Sequence, residues 1–475
     1  MQVFPQPEPV FRYFSAVSAI PRGSGNTAGI QEWCLDTAAK LGITAYADNS
    51  GNVILKKSAA PGYESHTPVI LQGHLDMVCA KLPDCPVCMD TEPPKLIWGE
   101  EYISADGTTL GGDDGIAVAY AFALLEQDDI PHPQLTVILT NDEETGMDGA
   151  SGLSPDELTG KMLINLDSEN EGVMTVGCAG GVRVHLTVPF PSGAVSGTLL
   201  TLKLHGLTGG HSGTEIHKRL LNANIVMRDL LTAIRSPFRI AEWNGGMRDN
   251  VIPTDCTVSL FCGRADKDDI CRSVLSELSR LLTDYPAESD AKLEISSQDD
   301  ASGTGLTAQA AASFLRFMQK LPNGVTAMNS SLNMPETSLN IGIASLRSGT
   351  AQVDALIRSS INSEKDALTE RLIRIAESSG GTAELSGSYP AWEYRPDTEM
   401  EQTAVRVFKK LYGTEPKTEI IHAGLECGIL CAKKPGLQCI SIGPDLFDVH
   451  TPRERLSIAS AARTWQYLLA LLSEL

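Results

Sequence analysis

Apolar positions follow two rhythms in the first third of the chain. Val10 to Ile20 and Ile30 to Leu41 carry them at helical spacing. Thr44 to Ala47 and Val53 to Lys56 read as strands joined by the turn Asn49-Ser-Gly-Asn52. An apolar strand beginning at Pro68-Val-Ile-Leu comes next, then a helix from about Asp114 to Glu126, then strands Leu135 to Thr140 and Met162 to Leu166. This alternation predicts an α/β fold, a mixed sheet flanked by helices. Such sheets bind ligands at strand ends and in the loops beyond them.

The pattern changes after Gly180-Gly181. Val182 to Val188 and Thr198 to His205 read as strands, Arg219 to Ile234 as a helix, and Cys256 to Gly263 as a strand, with similar units continuing to about Ser386. None of these stretches carries paired acids at a strand end. Candidate chemistry returns at His422 and closes at His450, before a helix from Ser457 to Leu472. The expected organisation is a domain built from residues 1–181 and 387–475, interrupted by an inserted α+β lid domain at 182–386. No repeat of fixed period and no low-complexity stretch is visible.

Charged and imidazole side chains gather at the strand ends. Leu135 to Thr140 runs into Glu143-Glu144, and the strand from Pro68 runs into His74-Leu-Asp76. Between them lies Gly111-Gly-Asp113-Asp114-Gly, and later come Asn165-Leu-Asp167 and Asp448-Val-His450. Unpaired carboxylates beside apolar strands are costly unless positive charge holds them. Delivery of His, Asp and Glu from several separate segments is the pattern of a metal site with its own base. His74 and Asp76 share one strand face, so Asp76 can orient the His74 imidazole as it ligates. Asp113 is the expected ligand of its pair; Asp114 is the alternative, and one of the two is expected to serve as a helix N-cap. Of Glu143 and Glu144, one can ligate while the other acts as general base. Mixed carboxylate and imidazole ligands favour Zn²⁺, Mn²⁺ or Co²⁺. The ligands exceed what one open zinc site needs, which suggests two cations about 3.5–4 Å apart.

Composition narrows the setting. The chain has 475 residues, beyond the size at which one core stops growing, so two domains are expected. A net charge of −21 argues against nucleic acid or an anionic membrane as partner. No run approaches the ~18 apolar residues of a membrane span, and no signal-peptide pattern opens the chain; a cytoplasmic location is expected. Eleven cysteines, an odd number, fit reduced thiols better than a disulfide framework. Cys85-Pro-Val-Cys88 is a lone pair and is read as a loop.

Taken together, His74-Leu-Asp76, Gly111-Gly-Asp113-Asp114-Gly, Glu143-Glu144, Asp167, Gly209-Gly-His211-Ser-Gly and His450 resemble the aminoacylase/carboxypeptidase-type co-catalytic zinc peptidases. Thr109-Leu-Gly-Gly-Asp-Asp-Gly, Gly210-His-Ser-Gly-Thr-Glu-Ile-His and His422-Ala-Gly-Leu-Glu426-Cys-Gly resemble the aminoacyl-histidine (Xaa-His) dipeptidase branch. The resemblance implies a zinc-peptidase α/β domain with an inserted lid that also forms a homodimer. It implies that His74 and Asp167 bind one metal, Glu144 and His450 the other, and that Asp113 bridges them. Glu143 would be the base and Asp76 the orienter of His74. His211 would stabilise the oxyanion, in relatives from the partner subunit. Many relatives carry Asn where Asp114 stands. The implied substrate is a small peptide with both ends free, with a related exopeptidase or N-acyl amino acid deacylase as the alternative. Glu426 is a candidate for the free amine, Arg358 for the carboxylate through its bidentate fork, and Asn250 resembles a lid asparagine that assists substrate binding. His217, Arg219 and Asn222 are expected to shape the lid helix.

Overall fold

The computed structural model describes residues 3–330 and 334–475. The chain divides into two compact units. One comprises Met1–Cys178, Tyr394–Ile420 and Leu425–Leu475; the other comprises Ala179–Glu393 and Ile421–Gly424. The short return Ile421–Gly424 belongs to the second unit, where the Ala179 N–H donates to the Ile421 carbonyl at 3.0 Å. His422, within the 387–475 stretch expected to rejoin the first domain, therefore lies in the second unit.

The first unit is built on an eight-stranded sheet. Its order is Thr44–Ala47, Val53–Lys57, Leu135–Thr140, Val69–His74, Met162–Asn165, Gln438–Ser441, Val173–Cys178, Lys417–Ile421. The four strands from Leu135–Thr140 to Gln438–Ser441 are mutually parallel. Every residue of Val69–His74, Leu135–Thr140 and Met162–Asn165 is buried, as expected where helices cover both faces of a parallel sheet. Helix Gly112–Glu126 is likewise buried along almost its whole length, and Phe122 packs among Tyr13 and Trp33. Because the strands are parallel and in register (His74 opposite Thr140, Gln72 opposite Asn165), the residues beyond their C-terminal ends emerge at one end of the sheet.

The second unit is built on a nine-stranded sheet, eight strands of which form two βαββαβ repeats, while the ninth, Gly324–Asn329, pairs antiparallel with Met334–Arg347. One runs Ser192–His205, helix Ala223–Ala233, Phe238–Gly245, Cys256–Cys262, helix Lys267–Asp284, Lys292–Leu306. The other runs Gly180–Pro189, helix Ala308–Lys320, Met334–Arg347, Thr350–Ser359, helix Asn362–Ser378, Thr382–Tyr389. In each, the fourth strand lies beside the first, then the third, then the second. The second strands meet, Trp243–Gly245 pairing antiparallel with Ala344–Leu346, and fuse the repeats into one sheet. The first repeat is inserted between the first strand and first helix of the other. Helix residues Leu230, Val274, Phe314 and Leu372 pack with strand residues Leu202, Trp243 and Val353 in one core.

The helix expected from Arg219 begins only at Ala223. The Asn222 side chain caps it, accepting the N–H groups of Asn224 and Ile225, as a short polar side chain does at an N-cap. His217 sits in the single turn Ile216–Lys218, and Arg219 has a left-handed φ of 56° that ends that turn. Of the three residues expected to shape the helix, only Asn222 does so.

Candidate metal centre

The parallel strands of the first unit deliver the acids and imidazoles to one cluster. His74 closes its strand, and its Nδ1 faces the Asp76 carbonyl at 3.1 Å and Asp76 Oδ1 at 3.3 Å. Those acceptors place the proton on Nδ1 and leave Nε2 free to ligate. Nε2 lies 2.9 Å from Asp113 Oδ1 and 3.6 Å from Asp167 Oδ1. On the other side, His450 Nε2 lies 3.0 Å from Asp113 Oδ2 and 2.8 Å from Glu144 Oε1. Asp113 thus turns one carboxylate oxygen to each imidazole. Glu144 Oε1, although so near His450, is buried and has no aligned hydrogen bond.

Two groups within this cluster have ligand atoms mutually within 4.8 Å: His74, Asp113 and Glu144, and His74, Asp114 and Asp167. Asp114, expected as an alternative ligand or a cap, is buried and accepts the His74 backbone N–H through Oδ2 at 3.0 Å. The helix has no side-chain cap, because its N-cap is Gly111 and neither Asp113 nor Asp114 has helical φ/ψ.

Three buried groups hold the cluster in place. Asp76 accepts the Glu143 N–H at 3.0 Å, the Glu144 N–H at 3.3 Å and the Ser24 hydroxyl at 2.7 Å. Glu454, 2% exposed, accepts four backbone N–H groups of the glycine loop: Leu110 at 2.9 Å, Gly111 at 3.1 Å, Gly112 at 2.8 Å and Asp113 at 3.4 Å. Arg22, 1% exposed, donates through Nη1 to the carbonyls of Leu75 and Asp76, each at 2.9 Å, and through Nη2 to Gly111. Gly111 has φ 69°, and a Cβ there would lie 2.7 Å from Arg22 Nη2 and 2.6 Å from Met77 Sδ, so only glycine fits. Sequence reasoning assigned no role to Arg22 or Glu454. Glu454 had a signal, since glycine-rich loops expose N–H groups that need an acceptor; Arg22 had none.

The electrostatics fit divalent cations. Burial disfavours charge on His74, yet Asp113, Asp167 and Asp76 together hold it protonated well above the ordinary histidine range. Asp113 and Glu144 push His450 up to about 11. Burial would raise Asp113, but His450 and His74 draw it well below the carboxylate range. The same happens at Asp76, held at about 2 against burial, chiefly by His74. Burial and neighbouring acids raise Asp167 to about 6 and lift Glu143 well above its ordinary value. Protons thus compensate a surplus of converging carboxylates, and a cation binding here would displace them. The donor set, with Asp113 turning one oxygen to each imidazole and Glu144 Oε1 beside His450 Nε2, suits hard or borderline cations.

The remaining candidates fall into two places. Within the second unit, His211 and Val251 pair across a short ladder, and the Asn250 carbonyl accepts the Ser212 N–H at 2.9 Å. His211 Nδ1 is approached by the N–H groups of Gly213 and Thr214, each at 3.3 Å, so its proton lies on Nε2. Burial and then the Arg358 charge lower its pKa. Arg358, 7% exposed, donates to the Tyr389 hydroxyl at 2.9 Å. His422 Nε2 lies 2.7 Å from the Ser338 hydroxyl. Glu426 belongs to the first unit and is fully enclosed. Its Oε2 accepts from Gln72 Nε2 at 2.5 Å and Thr140 Oγ1 at 2.6 Å, while Oε1 has no hydrogen bond. Burial pushes its pKa up to about 7.

The chain is 35% identical over 476 residues to the cytosol non-specific dipeptidase of Escherichia coli (strain K12), covering 99% of this chain and 98% of that protein. The crystal structure of aminoacylhistidine dipeptidase from Vibrio alginolyticus superposes with a TM-score of 0.89 at 32% identity, covering 98% and 96% of the two chains. An aminopeptidase structure from Bacillus cereus ATCC 10987 shares the fold, with a TM-score of 0.57, 16% identity and 98% coverage of both. The profile of Peptidase family M20/M25/M40 matches residues 70–474, and the chain belongs to that family.

Proposed function

We propose that this protein is a dipeptidase that hydrolyses small peptides, of Xaa-His type or broader, with the help of two divalent cations. The observation that carries the reading is Asp113, whose two oxygens face His74 and His450 at 2.9 and 3.0 Å. His74 and Asp167 would hold one cation, Glu144 and His450 the other, with Asp113 shared between them. Zn²⁺ is the proposed metal, with Mn²⁺ and Co²⁺ as alternatives. When bound, the cations supply Lewis-acid charge that polarises the scissile carbonyl and acidifies water.

The residues of the chain do the rest. Asp76 keeps the His74 proton on Nδ1 and orients the imidazole. Glu143 takes the proton of the attacking water onto its carboxylate and passes it to the leaving amine nitrogen. His211 donates its Nε2–H to the developing oxyanion; its lowered pKa keeps it a neutral donor. Arg358 binds the substrate carboxylate, and Asn250, next to the His211 ladder, assists. Glu426 receives the free amine at Oε1, the oxygen without a hydrogen bond in the protein.

The relative from E. coli is named as a cytosol protein, and a cytoplasmic location is proposed for this chain. No helix among the described residues is long and apolar enough to cross a membrane. A homodimer through the second unit is also proposed. Strands Phe238–Gly245 and Met334–Arg347 already pair with each other, so such an interface would use the outer strands Lys292–Leu306 and Thr382–Tyr389.

A panel of Xaa-His and other dipeptides, tripeptides and N-acetyl amino acids, assayed before and after chelation, tests the reading. Dipeptide hydrolysis abolished by chelator and restored by zinc supports it. Faster turnover of N-acetyl amino acids, or activity indifferent to chelation, would overturn it.

A further inference from the structure

A thiol cluster in the first unit has no part in the proposed chemistry. Helix Glu426–Lys433 carries Cys427 and Cys431 one turn apart on one face. Strand Gln438–Ser441 carries Cys439 against that face, and the sulfurs of Cys431 and Cys439 lie 3.3 Å apart. Cys427 also lies within interaction range of Cys439. Cys427 and Cys439 are buried, whereas Cys431 is half-buried. Among the described residues the clusters spaced for a metal ion are the carboxylate–imidazole groups, and no thiol belongs to them. The geometry is that of a redox pair rather than a soft-metal site.

We propose that Cys431 and Cys439 are an oxidation site for hydroperoxides, joined reversibly as a disulfide, with Cys431 meeting the oxidant. With hydrogen peroxide as oxidant, the Cys431 sulfur attacks one peroxide oxygen, the O–O bond breaks, and the leaving hydroxide takes the Cys431 proton and departs as water, giving a sulfenic acid. The Cys439 sulfur then attacks the sulfenic sulfur; the S–S bond forms, the S–O bond breaks, and the hydroxyl leaves with the Cys439 proton as water. Two thiols lose two electrons and two protons, and hydrogen peroxide becomes two waters. Cys431 is half-buried and Cys439 buried, so an oxidant reaches Cys431 first and Cys439 is left to resolve. Closing the gap from 3.3 Å to a bond of about 2.05 Å asks for a movement on the order of an ångström.

The bond would tie the helix that starts at Glu426 to the strand that ends at Ser441. Glu426 accepts from Gln72 and Thr140, and Ser441 bonds Asn165. A shift of the helix would therefore disturb the amine contact; that consequence rests on the proposed function, but formation of the bond does not.

The test treats the zinc-loaded full chain with excess hydrogen peroxide, removes the peroxide with catalase, alkylates free thiols and maps peptides without reduction. The expected result is a Cys431–Cys439 crosslinked peptide, 2 Da lighter than the paired thiols (about two hydrogens lost per disulfide), which disappears on reduction. In Cys431→Ser, Cys439 should be recovered as a free thiol. Recovery of both wild-type cysteines alkylated, as sulfinic acids, or with Cys439 bonded to Cys427 instead would overturn the assignment. Dipeptide turnover is a separate readout: a mapped disulfide without a fall in turnover sustains the oxidation site and overturns only its coupling to the amine contact.

Discussion

The Glu143 backbone N–H donates to Asp76 Oδ1 at 3.0 Å, while the same oxygen faces His74 Nδ1 at 3.3 Å. The proposed base and a proposed ligand are thus positioned by one carboxylate. Asp76→Ala would release both, along with the Glu144 N–H. Zinc affinity should fall about 10–100-fold, as when such a supporting partner is lost, and turnover should fall with it. Glu143→Gln should separate the two effects: kcat falls about 10²–10⁴-fold while zinc titration is unchanged. If Glu143→Gln kept near-normal kcat, Glu143 would not be the base.

Glu454 should act on metal binding rather than on chemistry. Its four N–H contacts fix the loop that presents Asp113. Glu454→Gln turns an amide donor toward N–H groups that need an acceptor. Zinc should dissociate about 10–100-fold more readily, while kcat at saturating zinc stays within a few-fold of wild type. Competition titration with a chromophoric chelator measures this, and an unchanged zinc affinity would rule the role out.

Arg358 should discriminate between free and blocked carboxyl ends. A charge-assisted pair contributes about 1.5–3 kcal/mol, so Arg358→Lys, which loses the fork but keeps the charge, should raise KM for dipeptides roughly ten-fold or more. KM for the amidated dipeptides should scarcely move. Equal changes for both substrate sets would show that Arg358 only supports the fold around Tyr389.

How much of the fold and site was legible in the sequence depends on where each signal lies. His74 and Glu143 stood out because they come at or just after strands buried on both faces, whereas Asp167, opening Asp-Ser-Glu-Asn-Glu, read locally as an acidic turn and owed its ligand role to the resemblance. The two-repeat construction of the second unit left no period, because one repeat is inserted into the other and their second strands meet only in space. Gly111 to Asp114 resembled a helix start, but Asp113 and Asp114 lie outside helical φ/ψ; Asp113 faces the two imidazoles and Asp114 accepts the His74 backbone N–H, and neither caps the helix. Arg22 sits in a loop between helices, and its partners Leu75, Asp76 and Gly111 are remote in sequence.

Stability should depend on pH through His422. It is 5% exposed, and burial, then the Arg358 and His217 charges, lower its pKa from 6.5 to about 3. Below pH 6.5 the unfolded chain takes up a proton that the folded protein refuses until about pH 3. The His422 contribution to stability is therefore intact above pH 6.5, declines as pH falls, and levels off near 3. At about 1.4 kcal/mol per pKa unit the span is a few kcal/mol. In His422→Gln this decline should be absent, so the gap between wild type and variant in urea midpoint should narrow from pH 7 to pH 4. Parallel curves would contradict the buried neutral histidine.

Anomalous diffraction from a zinc-loaded crystal, recorded on both sides of the zinc edge, tests the two-cation centre most directly. Two peaks about 3.5–4 Å apart should flank the Asp113 carboxylate, one reached by His74 and Asp167, the other by Glu144 and His450. A single peak, or peaks away from Asp113, would contradict the account.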